Sequence, residues 1–172
     1  MRVRFFTIAI ILLILGHSSF CNPGFWDPLP EHQLVSHLLN EMTDEEVLGQ
    51  VLMFGYYGTT PSPEIMSFIE ERFIGGIKIF GWNVGTLPEL IHSISDMQKK
   101  AQETPHKIPL LIATDQEGGW VRHVKGETSI TPGNLASGAT GLPYDAYKSG
   151  YYIGIEVKAL GINMNFAPTV DV

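Results

Sequence analysis

The chain alternates between two hydrophobic patterns, and this alternation restricts the fold more than any other feature of the sequence. Short runs that are apolar throughout are separated by longer segments in which apolar residues recur at helical spacing. Strands that are apolar on both sides are buried on both faces of a sheet, and intervening helices allow neighbouring strands to run parallel. The pattern therefore predicts a parallel α/β fold. Its strands are predicted at residues 50–56, 75–81, 109–114 and 162–167.

Helices are predicted between these strands from apolar spacing and from residues that favour helix ends. They cover 31–49, a segment opened by Ser62 and Pro63, a segment opened by Thr86 and Glu89, and 144–160. Thr43 and Glu46 form a capping-box pattern that would restart the first helix. Gly161 follows the last helix, at the position where a left-handed glycine commonly ends one. The tyrosines at positions 147, 151 and 152 are predicted to pack against the rest of the fold.

Four such units fit either an open doubly wound sheet or the first half of a (β/α)8 barrel, and periodicity does not choose between them. A closed barrel takes about 250 residues, whereas this chain has 172. Neither a GxGxxG motif after the first strand nor a GxxxxGK[ST] motif occurs. Their absence weakens the nucleotide-binding version of the open sheet.

Composition and charge exclude several functional classes. A hydrophobic fraction of 44% and a charged fraction of 17% exclude a disordered chain. The formal net charge of −7 argues against nucleic-acid binding, which requires a cationic face to neutralise phosphates. The six histidines show no HExxH or other paired spacing of metal ligands. We therefore predict no metal site and no cofactor.

The first 21 residues have the order of a secretory signal peptide. Arg2 and Arg4 precede an apolar run over 5–15, and small residues then lead to Cys21, which is the only cysteine. A spanning helix would need about 20 apolar residues, so we predict export to the periplasm or the cell exterior and a domain over 22–172. Cys21 either lies at the cleavage site or accepts the lipid of a membrane-anchored lipoprotein. An uncleaved anchor is the third alternative, and no other membrane contact is predicted.

Polar side chains are densest directly after the third predicted strand. In parallel α/β folds the active groups gather at the carboxyl ends of the strands. Asp115 and Glu117 share one face if the strand extends that far, Arg122 adds a permanent cation, and His123 titrates near neutrality.

This group of residues suits a sugar ligand. Carboxylates accept hydrogen bonds from neighbouring hydroxyls, and Trp82 or Trp120 could cover an apolar sugar face. The alternative is structural: Asp115 and Glu117 would hold the Gly118–Gly119 turn and pair with the nearby arginine. Spacing alone leaves both interpretations open.

Three segments resemble the amino-terminal domain of family 3 glycoside hydrolases. Residues 112–119 (IATDQEGG), preceded by Pro109, resemble the signature strand, and the DQEGG form resembles the β-N-acetylhexosaminidase branch. Residues 42–50 resemble the opening helix and first strand, and 161–171 resemble the fourth strand with its NFAPxxD core. The three occur in the family's order and together cover roughly residues 31–172.

The resemblance implies a TIM-barrel-like domain, present here as its first four βα units. It also implies removal of terminal β-linked N-acetylglucosamine from peptidoglycan- or chitin-derived oligosaccharides, with retention of configuration.

Retention requires a carboxylate nucleophile and a separate acid/base. The family's Asp nucleophile and His acid/base belong to later segments, so the resemblance places both beyond Val172 and no catalytic residue within this sequence. It therefore implies that the 172-residue chain alone is inactive. Asp115 would bind sugar hydroxyls, and Asp171 would line the site.

The signature strand departs from the family pattern just after its glycines. The family commonly has arginine at the positions of Trp120 and His123, and glutamine at Arg122. The second of those arginines contacts sugar in the family. Either His123 replaces it, or the loop shifts and Arg122 takes over the contact.

Three other functions stay open on the sequence alone. The chain could be a non-catalytic barrel half that binds sugar weakly, a β-glucosidase-type member of the same family, or a doubly wound binder of small molecules. Half a barrel would leave its first and fourth strands with unpaired edges. We therefore expect the isolated chain to be poorly soluble or to dimerise.

Overall fold

The computed structural model describes residues 24–170, which form alternating helices and strands. The predicted signal peptide with Cys21 lies outside the described residues, as do Asp171 and Val172. The predictions that Asp171 lines the site and that the catalytic groups follow Val172 therefore stay predictions. The elements are α1 (Glu31–Glu41), α2 (Asp44–Gln50), β1 (Met53–Gly55), α3 (Pro63–Glu71), β2 (Gly76–Ile79), α4 (Leu87–Gln102), β3 (Leu111–Thr114), β4 (Gln116–Gly118), β5 (Val121–Arg122), α5 (Asn134–Ala139), α6 (Pro143–Ala159) and β6 (Met164–Asn165).

Four strands form one parallel sheet in the order β1-β2-β3-β6. Each strand pairs with the next main strand along the chain, so the order never reverses. A doubly wound sheet reverses its strand order at a switch point, whereas successive strands of a (β/α)8 barrel are neighbours. The order therefore confirms the partial barrel predicted from the sequence, and β4 and β5 form a separate antiparallel hairpin after β3.

The helix ends follow the cap residues. The capping box at Thr43 and Glu46 is present, and it divides the predicted helix 31–49 into α1 and α2. Ser62 caps α3 and Thr86 caps α4, as predicted. Gly161 adopts φ +88° after α6, and its N–H donates to the carbonyl of Lys158 at 3.0 Å. Within residues 24–170, no helix has the length and hydropathy to cross a membrane.

The strands are shorter than predicted, most of all β6. The predicted strand 162–167 contains only two residues in ladder conformation, because asparagine side chains supply much of its pairing. Asn163 Oδ1 accepts from the N–H of Ile112 at 2.8 Å, and Asn165 Oδ1 accepts from the N–H of Gln116 at 2.9 Å. The first strand begins late because α2 continues through Gln50.

The two faces of the sheet differ in burial. Ile77, Ile79 and Ile112 are fully buried and belong to one hydrophobic core with residues of α3, α4 and α6. Side chains alternate between faces along a strand, so the opposite face carries Lys78 and the exposed side chains of Leu111 and Met164. The helices thus cover one face, and the other corresponds to the interior of a barrel.

The tyrosines of α6 do not pack as predicted. Ile153 and Val157 face the core, whereas Tyr147, Tyr151 and Tyr152 are all exposed. The helical period explains the difference, because positions 147, 151 and 152 lie outside the arc of the helix surface that Ile153 and Val157 occupy. The prediction that these tyrosines pack against the rest of the fold is therefore wrong.

Candidate active site

The β4–β5 hairpin places Asp115 at the carboxyl edge of the sheet. β3 ends at Thr114, and Asp115 occupies the single position between it and β4. Gly118 and Gly119 then turn the chain with φ +91° and +57°. A Cβ on Gly118 would lie 2.6 Å from the carbonyl oxygen of Pro132, so both conformation and space require glycine there.

Two cationic or polar side chains hold the carboxylate of Asp115. Lys78 Nζ from β2 forms an ion pair with Oδ1, and His123 Nε2 lies 3.2 Å from Oδ2. The carboxylate can only accept hydrogen bonds, so Nε2 carries the hydrogen in the second contact. The Asp115 side chain remains 28% exposed, which leaves part of the carboxylate accessible to a ligand.

Arg122 takes no part in this group. Its Nη1 donates to the carbonyl oxygen of Ser129 at 3.0 Å. Within residues 24–170 no ion pair joins Arg122 to Asp115 or Glu117, so the pairing expected in the structural alternative is wrong. Of the two residues proposed to replace the family's arginine, the structure brings His123 to Asp115.

Glu117 points to different neighbours and ties two segments together. Its Oε2 accepts hydrogen bonds from Asn134 Nδ2 at 3.1 Å and from Thr169 Oγ1 at 2.9 Å. Asn134 begins α5, and Thr169 follows β6. The described residues give Asp115 and Glu117 no common partner, so the two carboxylates do not form one pair. Glu117 thus has a structural role, but through Asn134 and Thr169 and not through the nearby arginine that the alternative interpretation named.

Lys78 was missed by the sequence-based prediction. It is the one charged residue of β2, and its side chain is only 13% exposed. Its ammonium lies 5.2 Å from the ring centroid of Phe80 and 4.8 Å from that of Phe166. A lone cation in an otherwise apolar strand needs an anionic partner when buried, and this signal was available in the segment GGIKIFG.

An aromatic stack extends from this group towards solvent. The ring centroids of Phe80 and His123 lie 5.5 Å apart. Trp82 stacks on both Phe80 and Tyr57, with ring centroids 4.4 Å and 5.5 Å apart respectively. Two protein rings therefore engage Trp82, and Tyr57 is the most open ring of the stack, at 85% exposure. Trp120 is fully exposed. That either tryptophan covers a sugar face stays a prediction.

The loop that carries this stack is fixed by buried hydrogen bonds. The Asn83 amide is fully buried and donates to the carbonyls of Tyr56 and Gly58 at 2.9 and 2.8 Å. Trp82 Nε1 donates to the same Tyr56 carbonyl at 2.9 Å. Burial raises the pKa of the Tyr56 hydroxyl to about 12, so this phenol of the hydrophobic core stays neutral.

A cavity of about 800 Å³ lies on another side of the hairpin. Its walls come from α5, α6 and the segment after β6, and include Glu117, Asn134 and Gly154. Among the described residues, Lys78, Asp115 and His123 do not line it. Residues 24–170 bring together no three His, Cys, Asp or Glu side chains that could hold a metal ion.

The fold and the polar groups at the carboxyl edge of its sheet define a class of protein. Parallel strands in sequential order, helices on one face and polar groups at the carboxyl ends are typical of the amino-terminal half of a (β/α)8 barrel enzyme. The sequence model of the glycosyl hydrolase family 3 N-terminal domain matches residues 42–172. The chain therefore belongs to glycoside hydrolase family 3.

Similar proteins agree with this assignment. Beta-hexosaminidase A of Pseudoalteromonas piscicida is 40% identical over 153 residues, which covers 76% of this chain and 25% of that protein. A secreted glycosyl hydrolase of Arthroderma benhamiae is 34% identical over 72% of this chain and 35% of its own length. The solved structure of a family 3 β-N-acetylglucosaminidase from Paenibacillus matches with a TM-score of 0.73 and 38% identity, over 76% of this chain and 25% of that one. The chain thus spans about a quarter to a third of these relatives.

Proposed function

We propose that this chain forms the first half of the catalytic barrel of an exported β-N-acetylhexosaminidase. The whole enzyme would remove terminal β-linked N-acetylglucosamine from peptidoglycan- or chitin-derived oligosaccharides. Family membership and the names of the similar proteins support the reaction class. The secreted relative and the signal-like order of residues 1–21 support export, with Cys21 as either a residue at the cleavage site or a lipid acceptor.

The observation that carries this proposal is the held, partly exposed carboxylate of Asp115 at the carboxyl end of β3. Lys78 and His123 each engage one oxygen, and each oxygen keeps a further lone pair that can accept a sugar hydroxyl. Hydrogen bonds from neutral hydroxyls to a charged acceptor are stronger than neutral pairs. Asp115 would therefore fix the non-reducing end of the substrate.

The proposal also includes the other three residues that the sequence predicts near the sugar. His123 would face the sugar beside Asp115, and Asp171 would line the site from the end of the fourth barrel strand. Arg122 would reach the sugar only if the β4–β5 hairpin shifted, because its guanidinium donates a hydrogen bond to the carbonyl oxygen of Ser129.

The chemistry itself would come from other segments of the barrel. A retaining hydrolase sets its two catalytic groups about 5–5.5 Å apart on opposite sides of the scissile bond. In this proposal the described half binds and orients the sugar, and the Asp nucleophile and His acid/base lie beyond Val172. The 172-residue chain alone should then bind sugar without turning it over.

Ligand-observed NMR with the 172-residue chain tests the proposal. N-acetylglucosamine should bind the parent chain and lose most of its binding to the Asp115→Asn variant. Glucose is the matched ligand, because stronger binding of glucose would favour the β-glucosidase-type alternative. No binding of either sugar, or equal binding by parent and variant, would contradict the proposed site. Hydrolysis of an aryl β-N-acetylglucosaminide by this chain would contradict the assignment of the catalytic groups.

A further inference from the structure

We infer that Lys78 is a positioning residue for sugar binding: it holds the Asp115 carboxylate in the orientation that accepts substrate hydroxyls. The inference rests on the proposed function, because it gives Lys78 a role only through the sugar contact of Asp115. Burial of the Lys78 ammonium costs hydration free energy, and only a well-placed anionic partner offsets this cost.

The contacts of the Lys78 ammonium direct its charge towards one carboxylate. The rings of Phe80 and Phe166 lie 5.2 and 4.8 Å from Nζ and stabilise the charge through their π-faces. Among residues 24–170, Asp115 is the acidic residue that forms an ion pair with Lys78. The charge of Lys78 is therefore directed at a single oxygen atom, Oδ1.

The carboxylate is consequently held from two sides. Lys78 reaches Oδ1 from β2, and His123 reaches Oδ2 from the end of the β4–β5 hairpin, at 3.2 Å. Either contact alone would leave the carboxylate free to rotate about its last torsion. Both together fix its plane, and each oxygen retains an acceptor position for a sugar hydroxyl.

Neighbouring small residues make room for this arrangement. Gly55 of β1 and Ala113 of β3 lie opposite Lys78 in the sheet register, so no bulky side chain competes for its position. A Cβ on Gly55 would lie 2.9 Å from the ring of Phe80, which shows that this ring packs against the glycine. The Lys78 side chain is thus placed by the sheet rather than by a surface loop.

The test measures N-acetylglucosamine affinity by ligand-observed NMR in four variants of the 172-residue chain, each compared with the parent chain and with Asp115→Asn. Lys78→Met removes the charge and keeps the apolar stem, and we expect binding to weaken about tenfold, since a hydrogen bond to a charged group is lost. Lys78→Arg restores a cation and should recover most of the loss. Lys100→Met is the control, because Lys100 pairs only with the surface residues Glu70 and Glu103 among the described side chains.

The fourth variant combines Lys78→Met with Asp115→Asn and distinguishes positioning from a general structural role. If Lys78 acts through Asp115, the double variant binds no more weakly than Asp115→Asn alone. A further tenfold loss in the double variant would overturn the inference, as would unchanged binding by Lys78→Met or no recovery by Lys78→Arg. Thermal unfolding of each variant, followed by circular dichroism, identifies losses caused by misfolding.

These outcomes separate the inference from the proposed function. If Asp115→Asn abolishes binding and Lys78→Met does not weaken it, Lys78 has no positioning role and the proposed function stands. If the parent chain binds no sugar, or if Asp115→Asn binds as the parent does, the proposed function fails and the role of Lys78 fails with it.

Discussion

Glu46 combines two interactions at the start of α2. Its Oε2 accepts a hydrogen bond from the N–H of Thr43 at 2.7 Å, and its Oε1 lies 3.4 Å from His106 Nε2. The bond from Thr43 holds the pKa of this carboxyl below its ordinary value, with burial opposing and His106 adding to the effect. One side chain therefore links the cap of a helix to the loop before β3.

The lowered pKa predicts acid-sensitive stability. A carboxyl with a folded-state pKa below the unfolded one, near 4.3, stabilises the fold above that unfolded pKa and loses this contribution as the pH falls through the folded pKa. Glu46→Gln keeps a capping-box side chain without the charge, so its stability should fall less steeply below about pH 5. Urea unfolding between about pH 3 and 7 measures the difference.

The control for this measurement is Glu45→Gln, an exposed carboxyl in the same helical turn. It should follow the parent curve. A Glu46→Gln variant that loses as much stability in acid as the parent would show that the charge of Glu46 does not carry the effect.

At the scale of elements, backbone spacing decides which glycines are needed. Gly49 of α2 lies against the segment before β2, and a Cβ there would meet the carbonyl oxygen of Arg72 at 2.0 Å. A Cβ on Gly154 in α6 would meet no atom within 4 Å. Both glycines lie in helices, so alanine has the higher helix propensity at each position. Replacing each glycine by alanine therefore shows whether helix propensity or close packing determines the stability.

We predict opposite signs for the two alanine substitutions. Gly154→Ala should raise the free energy of unfolding by about 0.5–1 kcal/mol, because alanine loses less backbone entropy in a helix. Gly49→Ala should lower it by about 2 kcal/mol or more, because α2 must move away from Arg72. Chemical denaturation measures both, and a stabilised Gly49→Ala variant would show that the two segments are not in close contact.

The side-chain amides of β6 give a second test at this scale. Asn165 accepts from the N–H of Gln116 and donates to its carbonyl at 2.9 and 3.1 Å. Asn165→Ala should destabilise the fold by about 1–3 kcal/mol, because the part-buried Gln116 backbone loses its partners. Asn134→Ala removes an exposed amide that bonds only Glu117 among the described groups, and it should change stability by less than about 0.5 kcal/mol.

At the scale of the whole molecule, the sequence predicted features that depend on neighbouring residues better than contacts between residues far apart in the chain. The order of helices and strands, the caps at Thr43, Ser62 and Thr86 and the turn at Gly161 depend on neighbouring residues, and the structure confirms them. The Lys78–Asp115 contact joins residues 37 positions apart, and no local pattern reveals which anion a buried lysine meets. The short β6 escaped prediction because asparagine amides replace backbone pairing there.

The uncovered sheet face predicts self-association. Leu111 and Met164 are exposed on this face, and within residues 24–170 β1 and β6 each pair on one side only. Unpaired edges and exposed apolar side chains favour contact with another chain. The sedimentation coefficient of the 172-residue chain should therefore rise with concentration, and Leu111→Gln with Met164→Gln should reduce the increase. A concentration-independent monomer would contradict this prediction.

The position of a bound sugar tests the central claim most directly. A crystal structure of the 172-residue chain with N-acetylglucosamine should show the sugar ring at the carboxyl end of β3, with hydroxyl groups within hydrogen-bonding distance of the Asp115 carboxylate. A ring bound instead in the cavity between α5 and α6, or held at the sheet edge without contact to Asp115, would contradict the account.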